Sequence, residues 1–282
     1  MTELGTYDIE EIRQHLADRV YPFSGISRLG TTEFHFIGPA RYLGVALHSG
    51  SRVRPSLSGV MALTGEERFR EEDPYTDRLI RSFPVQLIAR DSRFEYDLNW
   101  EIEKSIYPAG EKKWGLQVWN RELTPDERDE TYTRFLEFHS ILDLAVETVL
   151  EEGTPVILFD MHSFCYQRGG RIEWFRDQMA EINLGTRYIN REQFAPLINT
   201  FLEGISGMDI ESYPLRVVEN ELFPGGYLTR KYAATHHRDV LVMAIEYKKI
   251  FMDEWTGILD KEKMDILISN FLVTKDKMLE LL

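Results

Sequence analysis

Cysteine is almost missing from this sequence: Cys165 stands alone among 282 residues. A single thiol cannot build an internal disulfide framework, so a buried core must carry the fold, and a reducing cytoplasm is the expected compartment. Basic residues are also short, 33 Lys and Arg against 47 Asp and Glu, a formal net charge of −14. Such a surface repels phosphate backbones and anionic bilayers, which excludes nucleic acid and membrane from the expected partners. No apolar run approaches the roughly 20 residues of a membrane span. The N-terminal MTELGTYDIEEIRQHL has neither the basic start nor the apolar core of a signal peptide. Internal repeats, low-complexity tracts and Pro/Gly/Ser linkers are absent too. The expectation is therefore one domain over residues 1–282, with a short helical lead-in at about 1–25 and a C-terminal helix at about 260–282.

What is present is an ordinary globular balance, 43% hydrophobic and 28% charged, with enough length for a sizeable core. Residues 7–18 read as a short helix. Leu43 to Leu47 and Val85 to Ala89 are apolar runs of buried-strand length. The clearest helix starts at Thr124-Pro125-Asp126-Glu127: Thr124 caps, Pro125 suits the first turn and Glu127 completes a capping box. Its apolar positions Phe135, Phe138, Leu142, Val146 and Val149 keep helical spacing, and Gly153 supplies the stop. The run from Pro155 to Phe159 leads straight into Asp160-Met161-His162-Ser163. A helix is expected over residues 191–204, a further strand from Val240 to Ile245, and an amphipathic tail beyond Asp260. Apolar strands alternating with helices predict an α/β domain whose sheet is covered on both faces.

Three strands deliver a polar residue directly after their apolar run: His48, His162 and Glu246. Ligands of open α/β sheets gather at the carboxyl ends of strands. A catalytic zinc site often uses two His and one carboxylate, leaving a position for water. The carboxylate is expected from the acidic stretch Glu71 to Asp77. Glu246 is placed to act as general base on a water whose pKa the ion lowers to roughly 7. Arg93 is a candidate to stabilise an oxyanion. Each residue also has a plainer reading. A lone His after a strand more often makes a structural hydrogen bond, Asp73 and Asp77 suit a helix start, and Glu246 suits a pair with Lys248 or Lys249. Cys165 reads as a packed thiol and His236-His237 as a solvated loop.

The motifs gain weight as a series. His48-Ser-Gly, Asp73-Pro-Tyr-Thr-Asp77-Arg-Leu, and Ser92-Arg93-Phe-Glu-Tyr-Asp97-Leu-Asn99 resemble successive motifs of the N-formylglutamate amidohydrolase family. Asp160-Met-His162-Ser163, Asn183-Leu-Gly-Thr186, Phe223-Pro-Gly225-Gly226-Tyr-Leu-Thr-Arg230, Ala244-Ile-Glu246 and Phe251-Met-Asp-Glu254 continue it in family order. The family is distantly similar to zinc carboxypeptidases and aspartoacylases. The resemblance implies a three-layer α/β/α fold with a central mixed sheet, of the phosphorylase/hydrolase-like, zinc-carboxypeptidase-like kind. It also implies one Zn2+, or another divalent transition metal, held by His48, His162 and an acid. That acid is Asp73 or Asp77, with Asp73 preferred, because the relatives' His-x-x-Glu pattern meets Ser51 here. Glu246 takes the role of the catalytic Glu that activates water and returns the proton to the leaving amine. Arg93 takes the oxyanion role, and Asn99 contacts the substrate carboxylate.

The departures concern the substrate. The family's Asp-Leu-Asn-Arg reads Asp97-Leu-Asn99-Trp100, and an indole cannot replace the bidentate fork of an arginine. Arg230, Arg168 or Arg171 is then the candidate replacement charge, and Trp100 a candidate apolar wall. The implied function is metal-dependent hydrolysis of the amide of an N-acyl amino acid or related small carboxylate. Two alternatives stand beside it: a metallopeptidase-like hydrolase of a peptide or modified protein, and a non-catalytic carboxylate-binding descendant.

Overall fold

The computed structural model describes residues 4–167, 179–211 and 213–282. Its contacts divide the chain into two compact units, Met1–Gly153 and Thr154–Leu282.

The first unit opens with β1 (Gly5–Tyr7) and α1 (Ile9–Ala17), the latter started by a capping box between Asp8 and Glu11. Strands β2 (Phe23–Ser27), β3 (Thr32–Phe36) and β4 (Tyr42–Ala46) follow. Then come α2 (Gly65–Glu71), capped by Thr64 and Glu67, and the fully buried β5 (Val85–Ala89). The strands lie in the order β1-β2-β3-β5-β4. β1 runs parallel to β2 and β4 to β5, while β3 is antiparallel to both β2 and β5. A two-residue-per-strand hairpin, Lys112–Lys113 with Leu116–Gln117, precedes the 26-residue α3 (Pro125–Leu150). α3 packs on β4, β5 and α1. Its start carries the expected device: Thr124 Oγ1 accepts from Glu127 N while the Glu127 carboxylate accepts from Thr124 N at 2.8 Å. A separate apolar cluster, centred on Leu57, Met61, Phe94, Tyr107 and Trp119, lies under the segments between β4 and α3.

The second unit contains β6 (Val156–Phe164), β7 (Ile182–Gly185), α4 (Ala195–Ser206), β8 (Val217–Glu219), α5 (Tyr227–Thr235), β9 (Val240–Lys248) and α6 (Lys261–Leu279). Its strand order is β6-β9-β7-β8, with β6 and β9 parallel over nine registered pairs and β7 antiparallel to β9. α5 packs on β9, and α4 on α6 and β8. Both β6 and β9 are buried almost throughout, which is what an uninterrupted apolar run in a helix-covered sheet should give. The α/β class, with mixed strand directions in each unit, five strands in the first and four in the second, agrees with the sequence reading. None of the described helices is long and apolar enough to cross a membrane.

Candidate active site

In the first unit the chemistry gathers where β4 and β5 end. His48 lies just past β4 and is 1% exposed. Gly50 allows that turn to hug the neighbouring strand: a Cβ there would sit 2.3 Å from the Arg90 carbonyl carbon. Only glycine permits such a backbone approach. The loop after β5 is pinned from below. Asp91 accepts from Arg52, from Arg134 at 2.6 Å and from Tyr96 Oη at 2.6 Å, while Ser92 Oγ donates to Glu72. With its base so held, the loop presents Arg93 and Asp97 four residues apart.

Asp97 is the hub. Its carboxylate receives His48 Nε2 at 2.9 Å, Arg93 Nη2 at 2.8 Å, the Tyr107 hydroxyl and the Asn99 backbone N–H at 2.9 Å. Burial pushes its pKa up, but Arg93 and His48 outweigh that and hold it well below the usual carboxylate range. Burial likewise penalises the Arg93 charge, yet Asp97, Tyr107 and Asp73 leave its pKa raised. The other ring nitrogen of His48, Nδ1, faces Asp73 Oδ2 at 3.1 Å. Asp77 sits apart: it lies in the 3-10 turn Thr76–Ile80 and takes Arg81 at 2.8 Å in a partly exposed i,i+4 pair.

In the second unit, His162 and Glu246 are registered partners on β6 and β9, and Asn183 on β7 pairs Glu246 from the other side. The sequence reading put His162 and Glu246 beyond the ends of their strands. Both lie inside, because β6 runs to Phe164 and β9 to Lys248; the polar residues continue the ladder. Asp160, two residues before His162 and fully buried, brings Oδ1 to 2.9 Å from His162 Nε2. That approach lacks hydrogen-bond alignment, and neither Asp160 oxygen has an aligned donor among the described residues. Asn183 spans to the loop before α5, donating to Phe223 O at 2.8 Å and accepting from Leu222 N at 2.9 Å. There Gly225, at φ +112°, lies so near Gly185 that a Cβ on the latter would meet its nitrogen at 2.5 Å.

Arg230, in the first turns of α5, places its guanidinium 5.6 Å from the centroid of the Tyr188 ring. Arg168 and Arg171 lie outside the described residues. Asn99 and Trp100 lie just beyond Asp97 and Leu98, and the Trp100 backbone N–H donates to Asp97 O at 3.3 Å. Cys165 is buried as a packed thiol, with Lys249 Nζ at 3.4 Å from its sulfur. Two groups escaped the sequence reading. Asp97 was quoted within a motif but given no task, although its i,i+4 spacing from Arg93 signals a pair. Glu254 accepts from the backbone N–H of Tyr166 at 2.7 Å and of Gln167 at 3.2 Å, a clasp that no local pattern announces.

All three expected ligands, His48, Asp73 and His162, are buried donors of the kind that can hold a metal ion. The residue types fit: two imidazoles and a carboxylate are one common ligand combination of a hydrolytic zinc. The 3.1 Å between His48 Nδ1 and Asp73 Oδ2 also suits two ligands sharing an ion at ~2.0–2.1 Å from each. The Asp97 contact with the second imidazole nitrogen is of the kind that orients metal-binding histidines, whose other ring nitrogen meets a carboxylate, a backbone carbonyl or a water.

Comparison with known proteins gives the family. The sequence profile of the N-formylglutamate amidohydrolase family matches residues 41–251. The chain belongs to that family. Membership implies a hydrolase of amide bonds. Among solved structures, the chain is similar to an N-formylglutamate amidohydrolase from Ralstonia eutropha JMP134, with a TM-score of 0.70 and 19% identity, covering 88% of this chain and 97% of that one. It is similar as well to a gene product of Agrobacterium tumefaciens, at a TM-score of 0.62 and 18% identity over 88% of this chain and 96% of the other. No curated protein matches the sequence.

Proposed function

We propose that this amidohydrolase is metal-dependent and cleaves the amide of a small N-acyl amino acid or closely related carboxylate, of the N-formylglutamate kind. The observation that carries the reading is the double grip on His48: one ring nitrogen faces Asp73 at 3.1 Å, the other is held by Asp97 at 2.9 Å. A purely structural histidine in a core has no need of two buried carboxylates.

In this reading His48, Asp73 and His162 would hold one ion, zinc by preference. When bound, the ion supplies Lewis acidity that lowers the pKa of a water to roughly 7 and polarises a carbonyl. Asp97 fixes the His48 ring and its tautomer, and Tyr107 and Arg93 in turn fix Asp97. Glu246 takes a proton from the attacking water and passes it to the leaving amine as the C–N bond breaks. Arg93, charged at any working pH because Asp97 stays ionised beside it, stabilises negative charge on the former carbonyl oxygen. Asn99 and Arg230 contact the substrate carboxylate, and Trp100 walls the pocket.

The test pairs metal content with turnover. Purified without chelators or affinity metals, the protein should carry about one zinc by mass spectrometry, and His162→Ala should lose it. Glu246→Gln should keep the metal and lose at least ~10²-fold in kcat on whichever of a panel of N-acyl amino acids is hydrolysed, the usual worth of a general base. Metal absent from the wild type and not taken up on incubation would sink the proposal, as would an unchanged rate in Glu246→Gln.

A further inference from the structure

Lys113 stands next to the tip of the hairpin Lys112–Lys113/Leu116–Gln117, whose turn residues Trp114 and Gly115 have φ of 50° and 86°. Its ammonium lies over three aromatic faces: Tyr107 at 4.9 Å, Trp114 at 5.0 Å and Trp100 at 5.2 Å from the ring centroids. Among the described residues no carboxylate forms an ion pair with it. Rings attract a cation through their quadrupoles and leave its charge uncancelled. Lys113 is thus a positive group whose place is fixed but whose charge is still available to an anion.

The place matters. Tyr107 donates its hydroxyl to Asp97, the carboxylate that holds His48 and Arg93. Trp114 carries Arg93 on its ring, 4.8 Å from the centroid. Burial lowers the Lys113 pKa, Asp97 raises it in part and Arg93 lowers it further, so the ammonium is within electrostatic reach of both. The base of the hairpin is firm, since Tyr107 belongs to the apolar cluster with Phe94 and Trp119, and Leu116 packs against it. Trp100, at the position where the resembling motif carries an arginine, offers its face to this lysine.

We propose that Lys113, seated over Trp100, Tyr107 and Trp114, is a further cation, besides Arg230, that binds carboxylate of the substrate, its ammonium arriving from the hairpin to take the charge that Trp100 cannot supply. This rests on the amidohydrolase reading above for the nature of the substrate. An ammonium is a compact charge with rotatable donors, in contrast to the planar arginine fork, so it tolerates carboxylates presented at different angles. The site therefore selects for an anionic head and is permissive about its orientation.

The experiment uses the full chain with glutarate as the probe and glutaramide as its neutral counterpart, read by calorimetry and by the fluorescence of the flanking tryptophans. Glutarate should bind the wild type at least tenfold more tightly than glutaramide does. Lys113→Met should weaken glutarate binding tenfold or more and leave glutaramide unchanged, while Lys113→Arg should stay within threefold of wild type. If Lys113→Met does not fold by circular dichroism, Lys113→Gln takes its place. A purely structural lysine would shift both probes together or neither. Equal glutarate binding by wild type and the uncharged variant, or no saturable binding to wild type, overturns the assignment. Hydrolysis of N-acyl amino acids is read in parallel. Turnover with Lys113-independent binding sinks this inference alone; Lys113-dependent binding without turnover supports it and sinks the hydrolase reading.

Discussion

Asp97 meets four donors with two oxygens, and none of the four is interchangeable with the others. His48, Arg93 and Tyr107 each depend on it for orientation. Asp97→Asn keeps the shape but lets the amide donate where only acceptance fits. We expect zinc affinity to fall ~10–100-fold, the usual cost of losing an outer carboxylate, measured by competition with a chromophoric chelator; an unchanged affinity would remove Asp97 from the metal's surroundings. A second residue predicts behaviour in acid. Glu33 has a pKa lowered from 4.5 to about 2, chiefly by its hydrogen bond to His35 and then by Arg81, against the opposing effect of burial. A carboxylate depressed on folding stabilises above its unfolded pKa, and that contribution is lost as pH falls through the folded value. Between pH about 4.5 and about 2, the stability gap between wild type and Glu33→Gln should therefore close, as urea titrations would show. Individual residues were unevenly legible in the sequence. Asp73 and Asp77 look alike in a string, and only burial beside His48 for one and an exposed Arg81 partner for the other separates them. Lys113 was not singled out because no local spacing rule gathers Trp100, Tyr107 and its chain neighbour Trp114 around one ammonium; the loop and hairpin geometry does.

At the scale of elements, legibility followed the strength of the local signal. α3 was readable from Thr124 onward because its cap is written in the sequence itself, and β5 spans the apolar run from Val85 to Ala89. β2 and β3 were missed. They alternate buried with half-buried residues, FSGIS and TEFHF, and such short mixed runs lack the continuous apolar stretch of the inner strands. The expected helix at 191–204 is instead α4, Ala195–Ser206, since Pro196 suits its first turn and the residues before it form turns. Two substitutions test these elements. Thr124→Ala should cost about 1 kcal/mol in chemical denaturation, the usual value of a lost N-cap. Gly50→Ala should lower stability more than that, since its Cβ would collide with the Arg90 main chain and not with a movable side chain; a thermal midpoint equal to wild type would contradict the close approach.

For the molecule as a whole, a bound ion and the folded state are linked. An ion held only by the native protein stabilises it by roughly 2.7 kcal/mol at a hundredfold excess over its dissociation constant. Added zinc should raise the Tm of metal-stripped protein, excess chelator should reverse the rise, and His48→Ala should show none of it. The net charge of −14 makes the surface hospitable to cations in general, so magnesium at matched ionic strength is the control. The clasp at Glu254 also bears on how far the working protein extends. The family match stops at Phe251, short of the carboxylate that secures Tyr166 and Gln167 just downstream of His162. Trimming the gene to the boundary that kinship suggests would retain every proposed participant in catalysis and still cut the tie. The span a family profile matches and the span of contacts that hold a chain together are set by different things, and here they end at different residues.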